Sequence, residues 1–312
     1  MARYKGYIMV VIAACLWGVS GTVAQRLFEE DGISMRWLVT IRLIISGILF
    51  IIYGLLNKNL RQDVFEIWRH RSFIGQFVIF GTAGMLGVQY TYFAAIDEGN
   101  AAVATLLQYL APVFIMFYYI LKTKVKPTIY EYLSVTMALS GTYLLLTNGS
   151  FDSLAIPLKG LTWGILSALA LAFYTIYSDH LIRQFHSVLV VGWGMLIGGI
   201  SISFIQSPFA VNFSGWANLT WVFVGFVILF GTLIPFFLFI DSLRYISAKE
   251  SSLLSCSEPL ASVLTSVLWL HVPFGFIQGL GTILIISMVI LLTVSPEKIE
   301  ENLEKSVHGE TG

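Results

Sequence analysis

The sequence predicts an all-α integral membrane protein of about ten transmembrane helices, arranged as two five-helix inverted repeats. Three observations predict it: an apolar excess too large for a soluble chain, apolar stretches recurring near bilayer-spanning length, and a second half that repeats the first. Of 312 residues, 57% are hydrophobic and only 12% are charged, and the mean hydropathy is +0.81. Soluble domains carry roughly 25% charged residues. With 18 basic and 18 acidic side chains, this chain cannot cover itself in charge, so lipid must be its main solvent.

Stretches close to the spanning length of about 20 residues run over Tyr7–Gln25, Trp37–Leu56, Phe73–Ile96, Ala101–Leu121 and Ile129–Leu146. The second half offers Leu161–Ile182, Val188–Gln206, Leu219–Ile240, Ser251–Leu270 and Phe274–Val294. The last two are the hardest to separate, because His271-Val272-Pro273 is nearly the whole hairpin. Arg3 and Lys5 ahead of the first stretch outline a signal peptide, and Ile12-Ala13-Ala14-Cys15 resembles a lipoprotein cleavage box. The apolar run continues through Leu16-Trp17-Gly18-Val19, however, which favours a retained helix. Cys15 and Cys256 both sit in apolar runs, against a disulfide framework.

Orientation follows from lysine and arginine. One set of helix ends carries 14 of them and the opposite set only Arg26, Arg36 and Lys159. Both termini are therefore expected in the cytoplasm, with an even number of crossings. The halves also match: Pro112 and Pro259 lie 147 residues apart, and the same offset pairs Gly84 with Gly231, Ala101 with Ala248 and Ser140 with Ser287. Lys5-Gly6 matches Lys159-Gly160 at an offset of 154. Five helices per half is odd, so the second copy should be upside down, a construction suited to alternating access. The repeats are placed at 1–147 and 159–294, followed by a polar cytoplasmic tail over 295–312.

The motifs in order are Ala14-Cys15-Leu16-Trp17-Gly18, Arg42, Tyr92-Phe93-Ala94-Ala95-Ile96, Ala111-Pro112 and Glu258-Pro259. In that order and spacing the chain resembles the bacterial ten-helix EamA-type branch of the drug/metabolite transporter superfamily, from about Tyr7 to Val294. It departs from the common pattern after the fourth and ninth helices, where Lys122-Thr123-Lys124 and His271-Val272-Pro273 replace an acidic residue. The resemblance implies a secondary transporter in the cell membrane that exports or exchanges amino acids and other small metabolites.

Arg42 lies about two turns inside the second helix, where a charge normally needs a partner or a wet cavity. It reads either as an anchor for a carboxylate or phosphate on the solute, or as a structural arginine bonded to helix-end carbonyls or snorkelling outward. Glu258 is the acidic residue well inside a span. It suits proton coupling or a cationic solute group, or else it bonds backbone groups freed by Pro259. Pro112 and Pro259 are the expected helix bends. Trp17, Gln89, Tyr92, Gln108 and Tyr174 are the expected pathway residues, with Gln25, Tyr177 and Ser255 beside them. The competing reading of these polar groups is helix–helix bonding. Gly194 with Gly198, Gly275 with Gly279, and the Gly81, Gly84, Gly87 series read as packing faces.

No phosphate loop, paired-histidine metal helix or nucleophile elbow is present, and no cofactor or metal is expected. Zero net charge gives no footprint for nucleic acid. The expected partners are a small-molecule solute and the lipid bilayer, and a homodimer is left open. The alternative is a non-transporting membrane protein, such as a lipid-processing enzyme or a scaffold, which would gather its polar residues near one interface.

Overall fold

The computed structural model describes residues 2–69, 71–124, 127–150, 154–211 and 213–294. The polar tail expected over 295–312, with Lys298, Lys305 and His308, lies outside them, as do His70 and Lys126. Regular structure among the described residues is entirely helical. The rods are α1 (Ala2–Glu29), α2 (Met35–Leu56), α3 (Arg71–Asp97), α4 (Ala101–Thr123) and α5 (Ile129–Thr147). After them come α6 (Leu158–Ile182), α7 (Ser187–Ser203), α8 (Asn218–Ser242), α9 (residues 248–268) and α10 (Phe276–Val294).

Seven rods are long and apolar enough to cross a membrane: α1, α2, α3, α4, α6, α8 and α10. At 17 residues α7 is shorter, while α5 is diluted by serines, threonines and Glu131, and α9 by serines, Thr265, Lys249, Glu250 and Glu258. Glu131 of α5 is buried because it closes a capping box with Thr128, satisfying orphan backbone donors at the helix start.

Proline sets the breaks. In α4 the helix is interrupted at Tyr109–Leu110 and in α9 at Cys256, just ahead of Pro112 and Pro259. A proline gives no N–H to the carbonyl four residues back and crowds it. Both rods open on side-chain caps 147 residues apart: Asn100 accepts from Val103 N at 2.9 Å and Ser247 from Glu250 N at 3.3 Å. The bounds of α5 and α10 keep the same offset.

A second kind of irregularity appears at Phe80–Leu86 in α3 and Leu229–Leu233 in α8, where one turn widens to π-helix. Such turns rotate the downstream face and loosen the backbone ladder. They share Phe-Gly-Thr, residues 80–82 and 230–232, at an offset of 150. The local counterpart of Gly231 is thus Gly81 rather than Gly84, because inserted residues before and after the turn shift the register. The extra turn also breaks up the expected smooth glycine face. Gly81 meets Ile197 of α7 and Gly87 looks to Ala170 of α6. Gly275 and Gly279 are likewise no packing pair, since Gly275 precedes α10 and abuts Asn148 while Gly279 has open space around it. The close contact there joins Gly281 to Gly141 of α5.

Packing is most extensive between α5 and α10 and between α2 and α7. Without a hydrophobic drive between helices in lipid, small residues let backbones approach and dispersion do the joining. A methyl at Gly47 would sit 2.7 Å from Leu196 N, and one at Gly199 would sit 2.9 Å from Ile44 N. These two contacts exchange into each other at an offset of 152. Contact order also fixes direction. Residues 47 and 54 of α2 meet 196 and 189, so α2 and α7 are antiparallel. By the same test α5 is antiparallel to α10, α3 to α6, α1 to α8 and α4 to α9. In contrast α1 runs parallel to α9, and α4 to α6.

Candidate functional site

Polar residues of α1, α3, α4 and α9 converge within the bundle. The buried Tyr92 hydroxyl of α3 lies 2.8 Å from Thr105 Oγ1 of α4, which is 3.2 Å from Ser262 Oγ of α9. Gly18 and Gly21 admit α1 to this cluster. A methyl at Gly18 would overlap the Glu258 carbonyl oxygen and lie 2.8 Å from Ser262 N. One at Gly21 would lie 2.6 Å from the Tyr92 hydroxyl.

The helix break in α9 supplies the next part. Pro259 leaves the Ser255 carbonyl without its ladder donor, and Tyr109 of α4 donates its hydroxyl to that oxygen at 2.6 Å. The same hydroxyl stands 3.1 Å from Glu258 Oε2. Glu258 is partly buried and does not itself bond the freed backbone, correcting that part of the sequence expectation. Tyr109 does it instead, because its hydroxyl donates to a carbonyl whereas an ionised carboxylate only accepts.

Arg42 is 4% exposed on α2. Its Nε donates to Thr232 Oγ1 at 2.9 Å and its Nη2 to the Gly231 carbonyl at 3.2 Å, both in the π-turn of α8. Pro235 explains that acceptor, since Gly231 is the residue four back from a proline that has no N–H to give. The guanidinium also lies over the Phe93 ring, 4.5 Å from its centroid. No bond joins Arg42 to Glu258 among the described residues.

The other expected residues distribute around this centre. Trp17 packs edge-on against Phe236 at 5.1 Å and against Phe239 at 5.7 Å, one turn from the Arg42 acceptors. Gln108 is buried and donates to Ser167 Oγ of α6 at 2.6 Å, the helix–helix role. Tyr174 stacks obliquely on Phe80 at the first π-turn, 5.2 Å away. Gln89 is buried on α3 and makes no side-chain hydrogen bond among the described residues. Arg42, Tyr92 and Glu258 thus line one polar core, with Trp17 beside it and Gln89 buried one turn before Tyr92 on α3, whereas Gln108 faces Ser167 and Tyr174 faces Phe80. Sequence reasoning missed Ser20, Thr105, Tyr109, Thr232 and Ser262, since hydroxyls are common in membrane helices. Pro235 was the available signal for a free carbonyl at Gly231.

Both ends of α1 are tied down. Arg3 and Tyr7 donate to Glu250 at the start of α9, and Lys5 donates to Tyr245 at 2.9 Å. Arg3, Ser247 and Tyr7 hold the Glu250 carboxyl down at about 2. At the other end Thr22 meets Thr265 at 2.7 Å, and Gln25 Oε1 accepts from Ala101 N at 2.9 Å. Arg26 pairs with Asp31 at 2.7 Å, and Asp31 accepts from Thr220 at 2.7 Å.

Comparison with known proteins agrees with this architecture. The chain is 36% identical over 294 residues to an uncharacterized inner membrane transporter, YicL, of Salmonella typhimurium, covering 94% of this chain and 97% of that one. It is 26% identical to the uncharacterized transporter YxxF of Bacillus subtilis over 65% of this chain and 64% of that one. A solved crystal structure superposes with a TM-score of 0.62 at 18% identity, covering 97% of this chain and 99% of its own, a likeness of fold alone. The EamA-like transporter family model matches twice, over residues 4–147 and 158–294, so the chain is a multi-pass membrane protein that belongs to the EamA-like transporter family.

Proposed function

We propose that this protein is a secondary transporter that exports small metabolites, amino acids or related compounds, across the cytoplasmic membrane by alternating access. In this reading all ten rods cross the bilayer, the halves are inverted copies, and both termini are cytoplasmic. The observation that carries it is the exchange of contacts between halves. Each major helix pair either swaps into itself, as α2–α7, α4–α9 and α5–α10 do, or into another, as α1–α9 into α6–α4 and α1–α8 into α6–α3. Combining the pairwise directions makes every helix antiparallel to its counterpart, which is the relation inverted repeats require. Of the three shorter or less apolar rods, α9 runs parallel to α1 and so antiparallel to its neighbour α8, which supports counting it as a crossing.

The polar core sits where the halves meet, between the clamps at the two ends of α1. Alternating access needs such a site to face one side at a time, and releasing one clamp while keeping the other would do this. Trp17, Tyr92 and Glu258 are the pathway residues this arrangement favours, with Gln89, Gln108 and Tyr174 in supporting positions. Purified protein in liposomes, screened against amino acids and related metabolites with and without a pH gradient, tests the reading. At least one solute should equilibrate faster than in protein-free liposomes; failure across the panel would reject it.

A further inference from the structure

Two charged side chains are buried in the described structure, and they are held differently. Glu131 closes its own helix cap. Among the described residues Arg42 has no carboxylate partner: its contacts are a threonine hydroxyl, a backbone carbonyl and the face of a phenylalanine ring. A guanidinium has five N–H donors, and two are used here.

We propose that Arg42 is the subsite for a carboxylate on the transported solute, so that the protein selects solutes carrying a single anionic group. This rests on the transporter reading above. A neutral acceptor set satisfies hydrogen bonds and leaves the charge uncompensated, whereas a carboxylate would supply both the counter-charge and two more acceptors in the fork geometry arginine favours.

A second polar group points to the same place. Ser20 of α1 is 2% exposed, its Oγ has no hydrogen-bond partner, and that oxygen lies against Gly231, the residue whose carbonyl takes Arg42. An incoming carboxylate oxygen would give this orphan hydroxyl an acceptor. Trp17 and Phe236, partly buried and one turn away, with Phe239 a turn beyond, would receive the solute's apolar part.

The internal repeat argues that the fold does not need this charge. At the offset of 152 that relates the α2–α7 contacts, Arg42 corresponds to Gly194, which meets the other π-turn through Phe80 without any polar side chain. The Gly231 carbonyl freed by Pro235 asks for one donor, which a neutral side chain could supply. Arg42 also sets the preferred ligand charge at its own end of the core, since Glu258 is bonded by Tyr109 and not by the guanidinium. A monocarboxylate would leave a neutral pair, whereas a dicarboxylate or tricarboxylate would bury surplus negative charge.

The test uses purified full-length protein in detergent and follows thermal unfolding with lactate, benzoate, succinate, citrate, phenylalanine and glutamate, each beside the compound in which every carboxylate is replaced by carboxamide. In the wild type a monocarboxylate should stabilise the protein at least tenfold more potently than its amide, and more than succinate or citrate. Arg42→Gln should abolish the preference for acid over amide. Arg42→Lys, which keeps the charge and the fold but not the fork, should weaken acid binding about tenfold and leave amide binding unchanged. Equal stabilisation by acid and amide, no stabilisation by any compound of the panel, or a preference that survives Arg42→Gln overturns the proposal. Flux of a neutral solute through liposomes by both wild type and Arg42→Gln would overturn the subsite and leave the transporter reading standing. No flux of any solute through either would remove both.

Discussion

Gly18→Ala is the most demanding test of the packing beneath the site. Gly18 sits where α1 crosses α9, and its added methyl would overlap the Glu258 carbonyl oxygen and lie 2.8 Å from Ser262 N and 3.0 Å from Ala261 Cβ. Two of these three obstacles are backbone atoms, so no side-chain rotation relieves them. Ordinary contact needs about 3.5 Å, so α1 and α9 must part by roughly 1 Å along this stretch. Overpacking of that kind costs about 1–3 kcal/mol. The gain in helix propensity from glycine to alanine offsets about 0.8–1 kcal/mol of it. The expected balance is a destabilisation of up to about 2 kcal/mol, read as a lowered unfolding midpoint in detergent and a drop in any transport. Gly279→Ala is the control, because nothing lies within 4 Å of its added methyl. It should be neutral or stabilising by up to about 1 kcal/mol. A Gly18→Ala protein as stable as wild type, with Gly279→Ala the less stable variant, would refute the helix contacts described here.

Tyr109→Phe should destabilise by about 1–3 kcal/mol, since it strands the Ser255 carbonyl that Tyr109 satisfies at 2.6 Å; an unchanged unfolding midpoint would show that another donor takes over. Glu258→Gln should alter the pH dependence of uptake between pH 5 and 8 in liposomes at matched reconstitution, and superimposable profiles would make Glu258 structural. The Glu250 clamp carries its own pH signature. Its carboxyl falls from an ordinary 4.5 to about 2 on bonding Arg3, Ser247 and Tyr7, so its stabilisation is complete above 4.5 and fades as pH drops through 2. The stability gap between wild type and Glu250→Gln should therefore close over that window, and a gap that persists at pH 2 would contradict the assignment. Reporter fusions to the two ends should both report from the cytoplasm, as 14 against 3 lysines and arginines require.

What the sequence determined by itself was whatever depends on local composition and covalent geometry. An apolar run of spanning length must be helical in lipid, because no water is there to satisfy its backbone, and the all-helical structure follows. Pro112 and Pro259 must break their helices, since the missing N–H is a property of the residue and not of its surroundings. The repeat in residues 147 apart reappears in matching caps, breaks and helix bounds for the same reason. Tertiary structure decided what depends on which helix lies beside which. It assigned Tyr109 rather than Glu258 to the freed carbonyl, because α4 packs beside the break and brings a hydroxyl donor that an ionised carboxylate lacks. It turned Gln108 toward Ser167 and away from the polar core. It placed Arg42 against the π-turn of α8 with no carboxylate in reach, a pairing of residues 189 and 190 positions apart that no local pattern encodes. Register was lost at the π-turns, where one widened turn moves every later side chain to a new face, so Gly81, Gly84 and Gly87 point at different neighbours despite their regular spacing.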